Sequence, residues 1–263
     1  MTIKESLYFH YAGEPSTNYG IINVNVGTSG MLEEQFIANR EILETTIRGR
    51  DKPYFQGLKK SPLIIPVSFA IEDKWDENSI RDIARYLTNH NYYQPLYFSS
   101  NINRIYYALT ADDSTLIHNT LKQGYINLNF RCDSNTSYSP QYLSSLYDLS
   151  SNSITGTNII FTNNGDEICK PEIFVEMVGN GGFSIQNLSN SGQILEFTGL
   201  LDEEQIYIDC ENEDIISNIS EDTYRYDNHI GGVFLEILRG VNQLVVKGDV
   251  KLRFRYQFKT IQG

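Results

Sequence analysis

Short stretches in which apolar and polar residues alternate recur along the whole chain. In the clearest one, Leu252, Phe254, Tyr256 and Phe258 share one face. The basic residues on or next to the other face are Lys251, Arg253, Arg255 and Lys259. A period of two places successive side chains on opposite faces of a strand. Because turn residues separate such stretches at sandwich spacing, the sequence predicts a mainly β protein.

The charge of the chain changes near its middle. Residues 1–140 carry 13 basic and 15 acidic side chains, whereas residues 141–263 carry 8 and 18, so the net charges are −2 and −10. A polar, Ser-rich stretch at 138–156 coincides with this step and is typical of a linker or domain edge. The sequence therefore predicts an N-terminal domain over 1–140 and a C-terminal domain over 156–263. The final strand either pairs within the second domain or returns to the first.

One segment has the period of a helix. Asp76 is a good N-cap, and Ile80, Ile83, Ala84 and Leu87 follow at helical spacing. This pattern predicts a single α-helix whose apolar face packs on the core. His90 then lies at its C-terminal end, where a cation is favourable.

The inventory of chemically active residues favours a binding or structural role over catalysis. The four histidines are far apart, and the sequence contains no nucleophile, phosphate-binding or zinc motif. The acidic run Asp209–Asp214 lacks the Gly and Glu of a calcium loop, so it is interpreted as a solvated loop. We therefore predict no enzyme activity, no cofactor and no metal site.

Net charge, cysteine spacing and targeting signals indicate which partners and which cellular compartment to expect. The net charge of −12 argues against nucleic-acid binding, which requires a basic footprint. Three cysteines without paired spacing indicate no disulfide framework. No stretch has the length of a signal peptide or a membrane span. We expect a soluble protein that is made in the cytoplasm and binds no membrane.

The segment Glu44–Phe69 raises a specific question, because one strand connection carries Arg48, Gly49, Arg50 and Asp51. It is interpreted as two strands, one before Arg48 and one at Leu63–Phe69, with a charged loop between them. A plain turn needs only a residue that tolerates positive φ. The additional charges indicate a loop that contacts another molecule, although an ordinary solvated loop remains the alternative.

Several stretches, in order, resemble distal tail proteins of long-tailed phages that infect Gram-positive bacteria. The first are YFHYAGEPSTNYGIINVNV, REILETTIRGRD and PLIIPVSFAI, followed by the predicted helix, QPLYFSSNINRIYYALT and GYINLNFRCDSNTSYSP. In the second half they are FTNNGDEICKPEIFVEM, IYIDCENEDII and GVFLEILRGVNQLVV. The resemblance spans nearly the whole chain. The family loop usually reads Pro-Gly-Arg-Asp-Gly, whereas Arg48 and Lys52 flank Gly49–Asp51 here.

The resemblance implies two β-sandwich domains. The N-terminal one would carry the single helix and form a six-fold ring, and the C-terminal one would be an outer domain similar to galectins and carbohydrate-binding modules. It implies a structural hub in the virion tail that joins the tail tube protein to the tail-tip protein and anchors host-adsorption proteins. Arg48, Gly49, Arg50 and Asp51 would then contact the neighbouring subunit, where arginine can bind carboxylates with two hydrogen bonds.

The alternative function is a lectin-like module that binds a saccharide of the host cell surface. A receptor-binding protein is a further candidate partner of the outer domain. A lectin requires exposed aromatic side chains beside polar groups on a concave face, and Tyr207, Tyr224 and Tyr226 could supply them. Because fold does not determine function, the sequence alone does not choose between these partners.

Overall fold

The computed structural model describes residues 3–26, 34–72, 76–121, 123–219 and 224–262. The chain folds into two compact units. The first contains Met1–Tyr138 together with the last residues from Ile261, and the second contains Ser139–Thr260. Nearly all regular structure is β, which confirms the predicted fold class of a mainly β chain with one α-helix.

The described part of the first unit contains ten strands before the chain enters the second unit. They are β1 (Phe9–Tyr11), β2 (Glu14–Pro15), β3 (Ile21–Asn23), β4 (Arg40–Thr45), β5 (Tyr54–Lys60), β6 (Ile64–Ile71), β7 (Gln94–Phe98), β8 (Asn101–His118), β9 (Gly124–Cys132) and β10 (Thr136–Tyr138). Two 3₁₀ turns lie at Ile3–Glu5 and Ser16–Tyr19.

Most of these strands form one antiparallel sheet with the order β2-β1-β7-β8-β9-β6-β3, and β10 lies beside β8. Its core is rich in aromatic rings, because the inward positions of β1, β6 and β9 hold Phe9, Tyr11, Phe69 and Phe130. The rings of Phe9 and Phe69 stack with centroids 4.3 Å apart. Such pairs add specific geometry to the area that they bury.

The helix α1 (Glu77–Thr88) begins at the predicted N-cap, where the carboxylate of Asp76 accepts a hydrogen bond from the amide of Ser79 at 2.8 Å. Ile83 and Leu87 are buried, as predicted. Ala84 is exposed, and the third buried residue is instead Tyr86. The hydroxyl of Tyr86 donates to the carbonyl of Glu14 at 3.0 Å, so this ring attaches the helix to β2.

The second unit is a sandwich of two antiparallel sheets. Its strands are β11 (Tyr142–Leu143), β12 (Tyr147–Leu149), β13 (Thr157–Asn163), β14 (Glu172–Met177), β15 (Gly181–Asn187), β16 (Gln193–Leu200), β17 (Gln205–Asp209), β18 (Asp214–Ser217), β19 (His229–Ile230), β20 (Gly240–Lys247) and β21 (Val250–Tyr256). One sheet has the order β11-β21-β14-β17-β18 with β12 also beside β21, and the other has the order β13-β20-β15-β16-β19. A 3₁₀ turn lies at Tyr226–Asn228.

The core of this sandwich consists of alternate residues of both sheets, and Ile173, Ile185, Leu244 and Phe254 are among its fully buried members. Strict alternation of buried and outward residues runs through β14 and β15. This is the pattern of strands that cover a core on one face only. Similarity of this unit to galectins remains a prediction.

The Ser-rich stretch at 138–156 begins at a domain edge, which is one of its two predicted interpretations, but it is not a linker. Its residues form β11 and β12, which both pair with β21, and Tyr147 and Leu149 pack against the core of the second unit. The sequence did not reveal this because strands of two or three residues are too short to show alternation. The second unit therefore begins at Ser139.

The predicted final strand consists of two parts. β21 pairs with β14 inside the second unit, with Leu252 and Phe254 buried as predicted. The last strand, β22 (Lys259–Ile261), begins in the second unit and ends in the first. Both alternatives for the C-terminus are therefore realised, each by a different segment.

Asn242 explains one of the family-like stretches, the run from Leu238 to Asn242. Its fully buried side-chain amide donates to the carbonyls of Leu238 at 2.7 Å and Gly240 at 3.1 Å. Its side-chain oxygen accepts from the amide of Leu238 and from the side chain of Asn187, both at 3.0 Å. The residue thus closes the turn into β20 from inside the core, so its role is structural.

Cys132, Cys169 and Cys210 are free and buried, and burial raises the pKa of each thiol to about 12. Thiols in such surroundings stay protonated and unreactive. Within the described ranges, no helix has the length and hydropathy that crossing a membrane requires.

Candidate functional site

The charged loop lies at the tip of a β-hairpin that forms a sheet of its own. β4 and β5 pair only with each other among the described strands. The register places Ile42 opposite Leu58 and Glu44 opposite Phe55, with a bulge between these pairs. The charged loop was predicted to begin at Arg48 and to have Gly57 at its far end. Its second half is wrong, because Tyr54–Lys60 is a strand and Gly57 lies inside it.

The side chains of this hairpin are exposed although many are apolar. Ile42 is 61% exposed and Phe55 is 69% exposed. Because directly opposed residues share a face, Ile42, Leu58 and Phe55 form an apolar stripe on one face of the hairpin. On the other face, Leu43 and Tyr54 are exposed as well. Monomeric soluble proteins rarely expose apolar patches of this kind, and such patches mark sites where another molecule binds.

The tip of the hairpin is a tight turn. The amide of Arg50 donates to the carbonyl of Ile47 at 3.1 Å, and Gly49 has φ +85°. This conformation requires glycine at the third position of the turn. The guanidinium carbon of Arg50 lies 3.8 Å from the centroid of the Tyr54 ring, which is a cation–π contact. The changed residues around Gly49 therefore still form a tight turn.

Arg48 is the second residue of this turn and Asp51 follows it directly, and both are exposed. The structure gives neither side chain a hydrogen bond or an ion pair within the described part of the chain. The four predicted residues are thus brought together at one exposed tip. Their contact with a neighbouring subunit remains a prediction.

A second exposed extension of the first unit was not anticipated from the sequence. The strand β8 is 18 residues long, and its pairing with β9 continues past a bulge at Ala111–Thr115 to His118. Beyond the bulge, Leu116 is 40% exposed, Ile117 is 43% exposed and Leu121 is 63% exposed. The first unit therefore presents two hairpins with exposed apolar side chains.

In the second unit, the outward face of the six-stranded sheet contains a groove of about 660 Å³. Its central row runs across four strands, because Ile216 lies opposite Tyr207, Tyr207 opposite Phe174 and Phe174 opposite Arg253. Leu143 of β11 and Leu146 also line it. We refer to this feature as the sheet-face groove, and its remaining lining residues are Gln141, Tyr142, Val175, Glu176, Gln205, Ile206, Ser217, Asn218, Lys251 and Arg255.

An ion-paired cluster fixes one side of the groove. Arg255 lies opposite Glu172 and donates to its carboxylate through Nε at 2.8 Å and through a second nitrogen. The hydroxyl of Tyr207 donates to the same carboxylate at 2.6 Å. Two causes raise the pKa of Tyr207 to about 12: burial, which is the larger, and this hydrogen bond. The carboxylate of Glu172 raises the pKa of Arg255. Both Tyr207 and Arg255 therefore keep their protons at neutral pH.

A second ion pair lies on the opposite side of the central row. Lys251 donates to the carboxylate of Glu176 at 2.8 Å, and Gln205 is the other neighbour of Glu176 in the sheet. The hydrogen bond and the charge of Glu176 raise the pKa of Lys251. The alternate basic residues predicted for the last long strand, Lys251, Arg253 and Arg255, thus all line the groove.

Of the three tyrosines named from the sequence, only Tyr207 lines the groove. Tyr224 is 77% exposed, and the hydroxyl of Tyr226 donates to the carboxylate of Asp214 at 2.9 Å at the sheet edge. Phe174, Arg253 and Arg255 were missed as site candidates. Their signal was present, since Phe174 and Arg255 occupy outward positions of strands whose alternation is clear.

The acidic run Asp209–Asp214 forms the turn between β17 and β18. The carboxylate of Asp209 accepts from the amides of Glu211 and Asn212 at 2.9 and 3.0 Å, and Glu211 pairs with Lys259 at 2.8 Å. The carboxylates of Asp209 and Glu211 are therefore occupied by contacts within the protein. In the described ranges, no group of three or more His, Cys, Asp or Glu side chains could hold a metal ion.

Comparisons with known proteins find a family for the first half of the chain and a relative that matches both halves. Residues 4–134 match the family model of the phage tail protein N-terminal domain. A protein derived from the SPbeta prophage of Bacillus subtilis (strain 168), YomH, is 34% identical over 257 residues, which cover 98% of this chain and 99% of the relative.

Solved structures from phages share the fold over nearly the whole length. The crystal structure of SPP1 Dit (gp 19.1), described as a paradigm of the hub adsorption apparatus of phages that infect Gram-positive bacteria, matches with a TM-score of 0.69. That match has 16% identity and covers 95% of this chain and 98% of the Dit chain.

A chain of the phage P2 baseplate in its activated conformation with Sr matches with a TM-score of 0.52 and 9% identity, over 96% of this chain and 98% of that chain. The full-length identity to the prophage relative and the N-terminal family match point the same way. The chain belongs to a family of phage tail proteins and has the fold of a distal tail protein.

Proposed function

We propose that this protein is the structural hub of a phage tail tip and that six copies form a ring through their first units. The observation that carries the proposal is the β4–β5 hairpin, whose apolar side chains are exposed on both faces. In the ring, this hairpin lies on the neighbouring subunit and buries Ile42, Phe55 and Leu58 there.

The energetics of a lone hairpin support this role. A two-stranded sheet is at best marginally stable in water unless a third element covers its apolar face. Burial contributes about 25 cal/mol per Å² of apolar surface, so covering three large side chains stabilises an interface substantially. A neighbouring subunit supplies the missing cover.

Ring closure requires two different surfaces on each copy, because a head-to-tail interface joins unlike patches. The hairpin is one such surface. The apolar end of the β8–β9 hairpin, with Leu116, Ile117 and Leu121, is a second candidate contact for the ring or for the tail tube protein.

The charged tip adds specificity to the hairpin contact. Arg50 is held by its contact with Tyr54, while Arg48 and Asp51 have no charged partner in the described part of the chain. Arginine forms paired hydrogen bonds with a carboxylate in a fixed geometry. We expect Arg48 and Asp51 to meet opposite charges of the adjacent copy.

The fold shared with SPP1 Dit supports the wider assignment, since that protein is described as a paradigm of the hub adsorption apparatus. On this proposal the ring joins the tail tube protein to the tail-tip protein and anchors host-adsorption proteins in the virion. The protein is made in the host cytoplasm, and its role is structural and non-enzymatic.

The proposal is tested by native mass spectrometry and sedimentation of the full chain. One chain has a mass of 30.1 kDa, so a six-membered ring has about six times that mass. A double variant with Ile42→Glu and Phe55→Glu should lose the ring and remain a folded monomer. Its thermal unfolding should match that of the monomeric wild-type chain, because both residues lie outside the cores.

Ile160→Glu is the matched control. Ile160 is 58% exposed on β13 of the second unit, so its replacement introduces a similar charge far from the hairpin in sequence. The control should retain the ring. A wild-type chain that stays monomeric at high concentration with tube and tip proteins present would contradict the proposal, as would a ring that tolerates the double variant.

A further inference from the structure

The sheet-face groove is rich in basic side chains, whereas the unit that contains it is acidic. Residues 139–260 carry 8 basic and 18 acidic side chains, yet three of the eight basic ones, Lys251, Arg253 and Arg255, line this groove. Glu176 neutralises Lys251 and Glu172 neutralises Arg255. Arg253 is exposed and has no ion-pair partner in the described ranges. An uncompensated cation therefore lies at the end of the central row.

The floor beside Arg253 is a pair of aromatic rings. The centroids of Phe174 and Tyr207 lie 5.2 Å apart with the ring planes tilted by 49°. Tyr207 is held by its hydrogen bond to Glu172, and the Arg255 guanidinium lies 5.1 Å from the Phe174 ring centroid. The same guanidinium lies 6.0 Å from the Tyr207 ring centroid, so the two rings form a fixed apolar surface with one paired cation against it.

The backbone under this floor is already paired. β14 and β17 are interior strands that pair with each other. The other partner of β14 is β21, and the other partner of β17 is β18. A ligand on the central row must therefore be recognised by side chains, because the main chain offers no strand edge there. Side-chain recognition by aromatic faces and planar polar groups suits a sugar ring, which presents apolar C–H faces and peripheral hydroxyl groups.

We propose that the sheet-face groove binds a saccharide that carries an anionic group. The sugar ring lies on Phe174 and Tyr207, and its phosphate or carboxylate meets the free guanidinium of Arg253. Gln205 and Asn218 at the rim are placed to exchange hydrogen bonds with hydroxyl groups. This inference goes beyond ring assembly, because it concerns the second unit and needs no contact between copies.

The test uses the full-length protein and three small probes: glucose 6-phosphate, glucose and inorganic phosphate. Saturation-transfer NMR should detect the ring protons of glucose 6-phosphate, and titration should give a dissociation constant roughly fivefold lower than that of glucose, as one exposed ion pair provides. Inorganic phosphate alone should compete weakly, because it lacks the ring that lies on the aromatic floor.

Two variants separate the two parts of the site. Arg253→Gln should abolish the preference for the phosphorylated sugar without affecting folding, since this side chain is exposed. Tyr207→Ala should abolish binding of both sugars, and its thermal unfolding is measured in parallel. The matched controls are Arg239→Gln and Tyr224→Ala, because both residues are exposed in the same unit but do not line the groove.

Sugar binding that the two groove variants lose and the two controls retain supports the proposal. No saturation transfer to either sugar overturns it, as does binding that Arg253→Gln and Tyr207→Ala leave unchanged. If inorganic phosphate displaces glucose 6-phosphate completely, the groove binds only the anion, and the proposal is overturned. Tighter binding of an acidic peptide of alternating Glu and Leu at the same residues would overturn it in favour of a protein-docking surface.

Discussion

Glu204 and Arg225 form an ion pair in the interior of the second unit. The side chain of Glu204 is fully buried, and Arg225 donates to both of its oxygens at 2.7 and 2.8 Å. Ser217 and the amide of Leu201 donate to the same carboxylate. The buried charge is thus fully hydrogen-bonded, which is the condition under which burial of an ion is tolerated.

Removing one partner should be costly. Arg225→Ala leaves the carboxylate of Glu204 buried without its cation, so we expect the free energy of unfolding to fall by about 3–5 kcal/mol. The matched control is Arg239→Ala, whose exposed pair with Asp166 at 3.6 Å should contribute less than about 1 kcal/mol. Urea titration of both variants measures the difference, and equal losses would contradict this view of the buried pair.

The same pair should produce a pH dependence. Burial alone would raise the pKa of Glu204, but hydrogen bonds from Arg225, Leu201 and Ser217 outweigh burial and lower it. The pair therefore stabilises the protein above the unfolded carboxyl pKa, and this contribution is lost as pH falls through the lowered folded pKa. In Arg225→Ala the cation is absent, so burial raises the pKa of Glu204. Protonation of Glu204 then removes the cost of its buried charge. The stability gap between the wild type and the variant should consequently shrink in acid, and denaturant titrations between pH 7 and pH 3 check this.

Single residues were predictable from the sequence only where local rules determine them. The N-cap Asp76 and the turn residue Gly49 follow from backbone rules that need no tertiary information. Tyr207, Tyr224 and Tyr226 were named together as aromatic side chains that could contact a saccharide, and only Tyr207 lines the groove. Which tyrosine faces a groove depends on the register of β14, β17 and β18, and no local pattern determines that register.

At the scale of elements, the hairpin of β4 and β5 was predicted in part. The charged tip was identified from Arg48, Gly49, Arg50 and Asp51, whereas the second strand was missed because Lys59, Lys60 and Gly57 weaken its alternation. A strand that is exposed on both faces has no polar–apolar period to detect. Such strands are expected where another molecule supplies the cover.

The tip should act on assembly and leave folding unaffected. The double variant Arg48→Ala, Arg50→Ala should weaken the ring, because it removes both cations of the tip. The unfolding free energy of the monomer should change by no more than roughly 0.5 kcal/mol, since neither side chain lies in a core. Sedimentation and thermal melts together check this; a much earlier monomer melt would show that the arginines serve the fold.

At the scale of the whole molecule, the step in charge marked the division into two units, but the start of the second unit was placed too late. The structure begins the second unit at Ser139, because β11 and β12 complete its six-stranded sheet. The Ser-rich composition was typical of a linker, yet Tyr147 and Leu149 within it contact the core. Composition describes a segment on average, whereas two packed side chains are enough to attach it.

Two fragments should therefore differ in stability. Residues 139–262 contain both sheets of the sandwich and should fold cooperatively. Residues 156–262 lack β12, so the contact of Tyr147 with Phe254 at 6.1 Å and the packing of Leu149 are lost. Both side chains are half-buried against the core, so their removal should cost about 2 kcal/mol or more. Circular dichroism melts decide the matter, and equal melting of the two fragments would show that this segment does not stabilise the core.

The central claim is that the β4–β5 hairpin of one copy lies on the first unit of the next. Its most direct test is cross-linking of an equal mixture of unlabelled and ¹⁵N-labelled chains in the assembled state. Lys59 and Lys60 of the hairpin are exposed and within reach of an amine-reactive linker. We predict linked peptides of mixed isotope composition that join these lysines to the first unit, in a complex of six chains. Cross-links from the hairpin that are only within single chains, in a complex that is nevertheless a ring, would contradict the claim.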